Sequence, residues 1–269
     1  MNSFIHILAL LGGISYLMAA TLYLKYFGRP VPSMANRYFS FGAVFHFFSL
    51  FGMTWLAGGF QGFGLFTSGA ALLLAILFLS LKDAYRLDQL GAFTIPLVLG
   101  FFIFSGLVLH YPAEVEPGAG FGPALLAHIS FMLISISVFS LSAVLASGII
   151  FKESQIRNRT WHKLTAKIPS IERLENLGNG FTYLGCASLL AGVGSGFYLS
   201  TGRQTIYGSA DPLLLSSALA LSVYLVILLS SRMTGLRGRK AAWLSMCGYI
   251  VMVVSLAGAN FIENLHVYR

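Results

Sequence analysis

Leu125–Phe151 reads LLAHISFMLISISVFSLSAVLASGIIF, an apolar run with no charged residue in it. A bilayer hydrocarbon core of about 30 Å takes roughly 20 residues of α-helix to cross, so this run is long enough with residues to spare. Inside hydrocarbon the backbone must bond to itself, and a single segment does that only as a helix. The run stops at Lys152-Glu153, where a polar, basic stretch begins: KESQIRNRTWHKLTAKIPSIERLEN, residues 152–176.

Seven further apolar stretches share this character, giving expected spans at 3–27, 39–58, 64–81, 90–109, 124–151, 178–200, 213–231 and 242–261. The composition agrees: 57% of the 269 residues are hydrophobic and 10% are charged. Soluble domains carry about 25% charged residues. A cytosolic globular enzyme and a disordered chain are both excluded. The first stretch lacks a basic leader and is too long for a signal-peptide core, so it is kept as a helix.

Basic residues orient the bundle. Lys25, Arg29 and Arg37 flank the first connection, and Lys82 and Arg86 lie in the third. Lys152, Arg157, Arg159, Lys163, Lys167 and Arg173 lie in the fifth; Arg232, Arg237, Arg239 and Lys240 lie in the seventh. Only Arg203 and Arg269 fall on the opposite side. The positive-inside rule makes the odd connections cytoplasmic and turns both termini outward. Topology thereby accounts for the net charge of +8, and nucleic acid is not needed to explain it. The expected architecture is all-α: one integral membrane domain over 1–269, a single bundle of eight transmembrane helices in a bacterial cytoplasmic (inner) membrane.

Within the cytoplasmic 152–177 loop, Ile168, Ile171, Leu174 and Leu177 recur at three-residue spacing, and Pro169-Ser170 marks a helix start. The spacing predicts a short amphipathic helix at the membrane interface leading into the sixth span. Gly192-Val193-Gly194-Ser195-Gly196 forms a small-residue face for close helix approach, and Ser130, Ser135, Ser137, Ser140 and Ser142 can bond to carbonyls of their own or a neighbouring helix. Cys186 and Cys247 lie far apart with no CxxC spacing, and are expected to be packing residues.

No Asp, Glu, Lys or Arg lies deep in a span, which weighs against an ion pump. Histidine is the chemically interesting residue. On this topology His6, His110, His128 and His266 share the outer layer, His46 lies about two turns into the second span from the cytoplasmic side, and His162 is in the basic loop. A neutral imidazole offers a metal one lone pair and keeps its other nitrogen for an orienting hydrogen bond. Two such rings facing across an apolar gap can ligate haem iron. Spacing alone leaves open which of the four outer rings would pair. Glu114 and Glu116, on an outer connection, read as solvated; no phosphate-binding loop or nucleophile elbow is present.

Three stretches in order resemble the CcsA/CcmC-type cytochrome c assembly superfamily, in particular its eight-helix HemX- and YpjD-like branch. They are Leu125–Phe151, KIPSIERLENLGNGFTYLGCASLLAGVGSGFYL at 167–199, and GLRGRKAAWLSMCGYIVMVVSLAGANFIENLHVYR at 235–269. Residues 1–123 resemble it mainly in hydropathy and in FHFFSLF around His46. The resemblance implies that His128 and His266 are the axial ligands of a non-covalent haem b near the outer face, and that His46 is a haem contact near the cytoplasmic side. It implies a haem carrier with no catalytic chemistry, with apocytochrome c or an assembly protein as partner besides the lipid, and no nucleic acid. One departure stands out. The family's Trp-rich signature loop corresponds here to YGSADPLLLSS at 207–217, which keeps Tyr207, Gly208, Asp211 and Pro212 but no Trp. The alternative the resemblance leaves open is a HemX-like regulator or scaffold acting on haem biosynthesis through the basic loop, or an accessory subunit of a respiratory complex.

Overall fold

The computed structural model describes residues 2–56, 62–108, 122–158, 168–200, 212–233, 235 and 237–267. Among them are eight α-helices and no strand: α1 (Asn2–Lys25), α2 (Ser33–Leu56), α3 (Gly62–Tyr85), α4 (Gly91–Val108), α5 (Pro123–Arg157), α6 (Ile171–Ser200), α7 (Pro212–Met233) and α8 (Arg239–Val267). Seven carry apolar windows long enough to cross a membrane; in α7 the described apolar segment is the shorter Ser217–Ser230. The chain is a polytopic membrane protein. Helices α5 and α7 both open on a proline, whose fixed φ suits a first helical position that needs no N–H. The 35 residues of α5 extend roughly 52 Å, more than a hydrocarbon core. Its surplus is the polar end from Lys152 to Arg157.

The molecule divides into two compact units, residues 1–114 with 151–174, and residues 115–150 with 175–269. In the first unit α1 packs on α2 and α4, and α3 packs on α4 and α2. Tyr16, Tyr23, Phe39 and Phe78 are fully buried there. At one end of this unit the Gln89 side chain ties two connections together: its amide donates to the Arg29 carbonyl at 2.8 Å, and its oxygen accepts from Gly28 N–H at 2.7 Å. Helix α3 stops at Arg86, which adopts φ +57°. The Leu87 N–H then reaches back to the Lys82 carbonyl at 2.7 Å, closing the last turn. Lys82 is buried, with its ammonium 2.7 Å from Asp83 and 3.7 Å from Asp88. Lys152 binds the carbonyls of Ile168 and Pro169 at 2.7 and 2.6 Å.

The expected interfacial helix near 168–177 has no separate existence. Ser170 caps the Arg173 N–H at 3.3 Å, and from Ile171 one helix runs without a break to Ser200. No proline interrupts those thirty residues, so the helix started by Ser170 propagates into the span. Ile168 and Leu174 of the apolar stripe are buried in protein. Of the 152–177 stretch, residues 159–167 lie outside the described residues.

In the second unit α7 packs on α8, with Gly248 against Val223 and Ile227, and α5 packs antiparallel on α6. Phe139 of α5 stacks on Tyr224 of α7 with ring centroids 3.7 Å apart, and Ser140 of α5 bonds the Tyr249 hydroxyl of α8 at 2.8 Å. The α5–α6 contact depends on glycines. A Cβ on Gly185 would lie 2.7 Å from the Phe139 ring, and one on Gly192 would lie 2.7 Å from the Met132 sulfur. By contrast, among the described residues nothing lies within 4 Å of a Cβ built on Gly194. Gly185→Ala should therefore cost about 1–3 kcal/mol through overpacking against a buried ring, whereas Gly194→Ala should stay within about 0.5 kcal/mol. Thermal midpoints of the two variants in detergent check this; equal midpoints would contradict the packing.

Candidate functional site

Five of the seven serines of α5, at 130, 135, 137, 140 and 142, divide by their partners. Ser130, Ser137 and Ser140 bond the carbonyl four residues back, at 2.7, 2.7 and 2.6 Å. Ser135 and Ser142 instead cross to α6, donating to the carbonyls of Gly185 at 3.3 Å and Gly178 at 3.2 Å. His128 continues this series: its Nδ1 lies 2.8 Å from the Gly192 carbonyl. The donors 128, 135 and 142 are seven residues apart, and so are the acceptors 192, 185 and 178. Seven residues are close to two helical turns, so a shallow left-handed crossing keeps one face of each helix in register. Glycine at each acceptor position leaves the carbonyl uncovered, and its oxygen has a second lone pair beyond the helical bond.

The last rung determines the chemistry of His128. A carbonyl oxygen only accepts, so Nδ1 carries the proton and donates. In the neutral imidazole the lone pair is then on Nε2, in the ring plane. Among the described residues Nε2 has no hydrogen-bond partner, and the side chain is half-buried. Ser195 supports the seat: its hydroxyl donates to the same Gly192 carbonyl at 2.9 Å and lies 3.4 Å from Nδ1. The ring also rests on Gly196, where a Cβ would come within 2.8 Å of Cε1. The small-residue segment of α6 is thus a histidine seat as well as a helix-packing face, a role spacing could not reveal.

His46 of α2 is wired differently. It is 1% exposed, with both ring nitrogens engaged: Nδ1 lies 3.2 Å from the Tyr16 hydroxyl of α1, and Nε2 lies 2.8 Å from Ser68 Oγ of α3. Phe102 of α4 covers the ring edge-on, centroids 4.7 Å apart. All four long helices of the first unit therefore meet on this residue.

His6 is exposed near the start of α1. His266 lies in the last turn of α8, with its side chain outside the described residues. His110, His162 and the signature-loop positions Tyr207, Gly208 and Asp211 also lie outside them. Among the described residues no three His, Cys, Asp or Glu side chains converge on a common metal position.

The amino-acid sequence has counterparts among known proteins. A family model described as Cytochrome C assembly protein matches residues 34–266. The chain belongs to this family. Among its relatives, the cytochrome c biogenesis protein CcsA of Guillardia theta is 26% identical over 246 residues, covering 81% of this chain and 80% of its own length. Protein HemX of Brevibacillus brevis is 22% identical over 185 residues, covering 67% and 66%. The inner membrane protein YpjD of Escherichia coli K12 is 22% identical over 176 residues, covering 65% and 66%. The chain thus spans about two thirds of the length of the last two. No solved structure matches.

The two described histidine sites differ in a directly measurable way. Diethyl pyrocarbonate acylates an accessible imidazole nitrogen that lacks a proton. In the detergent-solubilised protein His6 and His128 should be modified while His46 stays protected, read by mass spectrometry of digests. Equal protection of His128 and His46 would contradict the open Nε2.

Proposed function

We propose that this protein is a haem-binding carrier of cytochrome c assembly in a bacterial cytoplasmic membrane. Haem b would be held non-covalently near the outer face, with both termini outward. His128 and His266 would be the two protein ligands to iron, and His46 a second haem contact toward the cytoplasmic side. The observation that carries this reading is the Nδ1–H bond from His128 to the Gly192 carbonyl. A backbone bond of this kind orients a metal-ligating imidazole and raises its basicity. His128 accordingly fits a haem, which brings most of the iron's ligands itself and so would need few from the chain.

When bound, haem would supply an iron that His128 and His266 could hold and release by ligand exchange. The rest is the work of the chain. α6 supplies the seat that fixes the tautomer and angle of His128. α8 carries His266, far away in sequence, so a two-histidine grip would join α5 to α8. The role is binding and handover, with no bond-making chemistry assigned to any side chain. Family membership supports a part in cytochrome c assembly, and the relatives named for cytochrome c biogenesis, HemX and the inner membrane point the same way. The acceptor would be apocytochrome c or an assembly partner. Lacking tryptophan, the stretch at 207–217 would meet it through other contacts than the Trp-rich loop uses.

An ultraviolet–visible spectrum of the protein purified in detergent from haem-replete cells tests the reading. A Soret band is expected, weakened by His128→Ala and by His266→Ala. Loss of either histidine should lower haem affinity by at least about 10- to 100-fold, the cost of losing merely an outer partner of a metal ligand. A colourless wild-type protein, or bands indifferent to both substitutions, would overturn it.

A further inference from the structure

The four-helix meeting point at His46 holds a feature that the carrier reading does not use: its hydrogen bonds dictate which nitrogen bears the proton. Tyr16 is 0% exposed, and among the described residues the only polar partner of its hydroxyl is His46 Nδ1. A buried phenol proton must go to an acceptor, and stranding it costs about as much as losing a hydrogen bond outright. Tyr16 therefore donates and Nδ1 accepts. The ring proton is then on Nε2, which donates to Ser68 Oγ. The opposite tautomer would leave the Tyr16 proton with no acceptor. His46 and His128 thus carry their protons on opposite nitrogens.

This wiring closes His46 to a metal on both sides. Its Nε2 is plugged by a proton, and its single lone pair, on Nδ1, is taken by Tyr16. Packing reinforces the closure. A Cβ on Gly42 would lie 2.6 Å from the Tyr16 ring, so the phenol rests directly on the α2 backbone one turn before His46. Phe102 lies edge-on to both rings, at 5.9 Å from Tyr16 and 4.7 Å from His46.

We infer that Tyr16, with Ser68, is a latch that holds His46 shut against iron. It is a positioning residue that sets when His46 can act as a haem contact, and the inference rests on the carrier reading in that His46 has haem to meet. Opening needs the Tyr16 bond to break, which frees the lone pair already on Nδ1, and the Ser68 bond to break before the ring can turn that lone pair outward. The apparent affinity at His46 is then its intrinsic affinity reduced by the small fraction of molecules with the latch open.

Two measurements on the detergent-solubilised full chain test this. The first uses ¹⁵N-histidine labelling without hemin, with the His46 signals assigned by their loss in His46→Gln. Wild type should show His46 as the Nε2–H tautomer, and Tyr16→Phe should shift it toward a mixture. An Nδ1–H tautomer in wild type would overturn the latch. The second is a hemin titration in the His128→Ala, His266→Ala background. Adding Tyr16→Phe should raise hemin affinity about fivefold, the population change that one net hydrogen bond commands. Adding His46→Gln should abolish that gain. No gain, in variants whose thermal midpoints match the background, would overturn the latch while leaving the His128 site intact. If wild type binds no hemin at all, the carrier reading fails instead, and the tautomer measurement alone decides the latch.

Discussion

Donors spaced by seven residues on one helix meet glycine carbonyls spaced by seven on its neighbour, and the geometry of the second unit follows from that match. Between helices in lipid there is no hydrophobic drive to associate, because acyl chains are as apolar as leucine. What remains is close packing and polar contact. Gly185 and Gly192 provide both at once, by letting α5 approach and by baring their carbonyls to Ser135 and His128, and Gly178 offers its carbonyl to Ser142. Each such cross-helix bond is worth only about 0.6 kcal/mol on average. Their value lies in register: a slip of one residue would turn all three donors away together.

That register gives His128 its chemistry. Two rungs of the series are hydroxyls, which satisfy the carbonyl and are then finished. The third is an imidazole, which satisfies the carbonyl with one nitrogen and keeps a lone pair on the other. Placing histidine at the end of a serine series is thus a way to fix a ligand on rigid helices, with Ser195 and Gly196 closing the seat around it. His46 shows how completely neighbours decide the outcome. It is the same residue type, also on an apolar helix, yet Tyr16 and Ser68 place its proton on the other nitrogen and occupy both. One histidine is anchored through a single nitrogen; the other is held through both as the polar centre of four helices.

Much of this was legible before any coordinates. Uncharged runs as long as Leu125–Phe151 have no folded option in lipid but a helix, so helical class and membrane residence follow from composition and length. Ser170 was readable as a helix start because a hydroxyl before a helix is a local device, and local devices depend on neighbours in sequence. The 168–177 stretch was read too locally. Its three-residue apolar spacing fits an interfacial helix and the first turns of a long buried one equally well, and only the burial of Ile168 and Leu174 distinguishes them. The α5 serines are recognisable as carbonyl donors, but nothing in their spacing separates Ser135 and Ser142, which cross to α6 carbonyls, from Ser130 and Ser140, which bond the carbonyl four residues back.

The amino-acid sequence by itself determined the helical class, the membrane setting and the short set of histidines on which chemistry could rest. Those properties are sums over residues or consequences of chain geometry, and they do not depend on which helix lies beside which. Only the tertiary structure decided what each histidine can do. An imidazole's free lone pair is set by whatever touches its other nitrogen. For His128 that is a carbonyl 64 residues away along the chain, and for His46 a phenol 30 residues away, distances over which sequence periodicity carries no information.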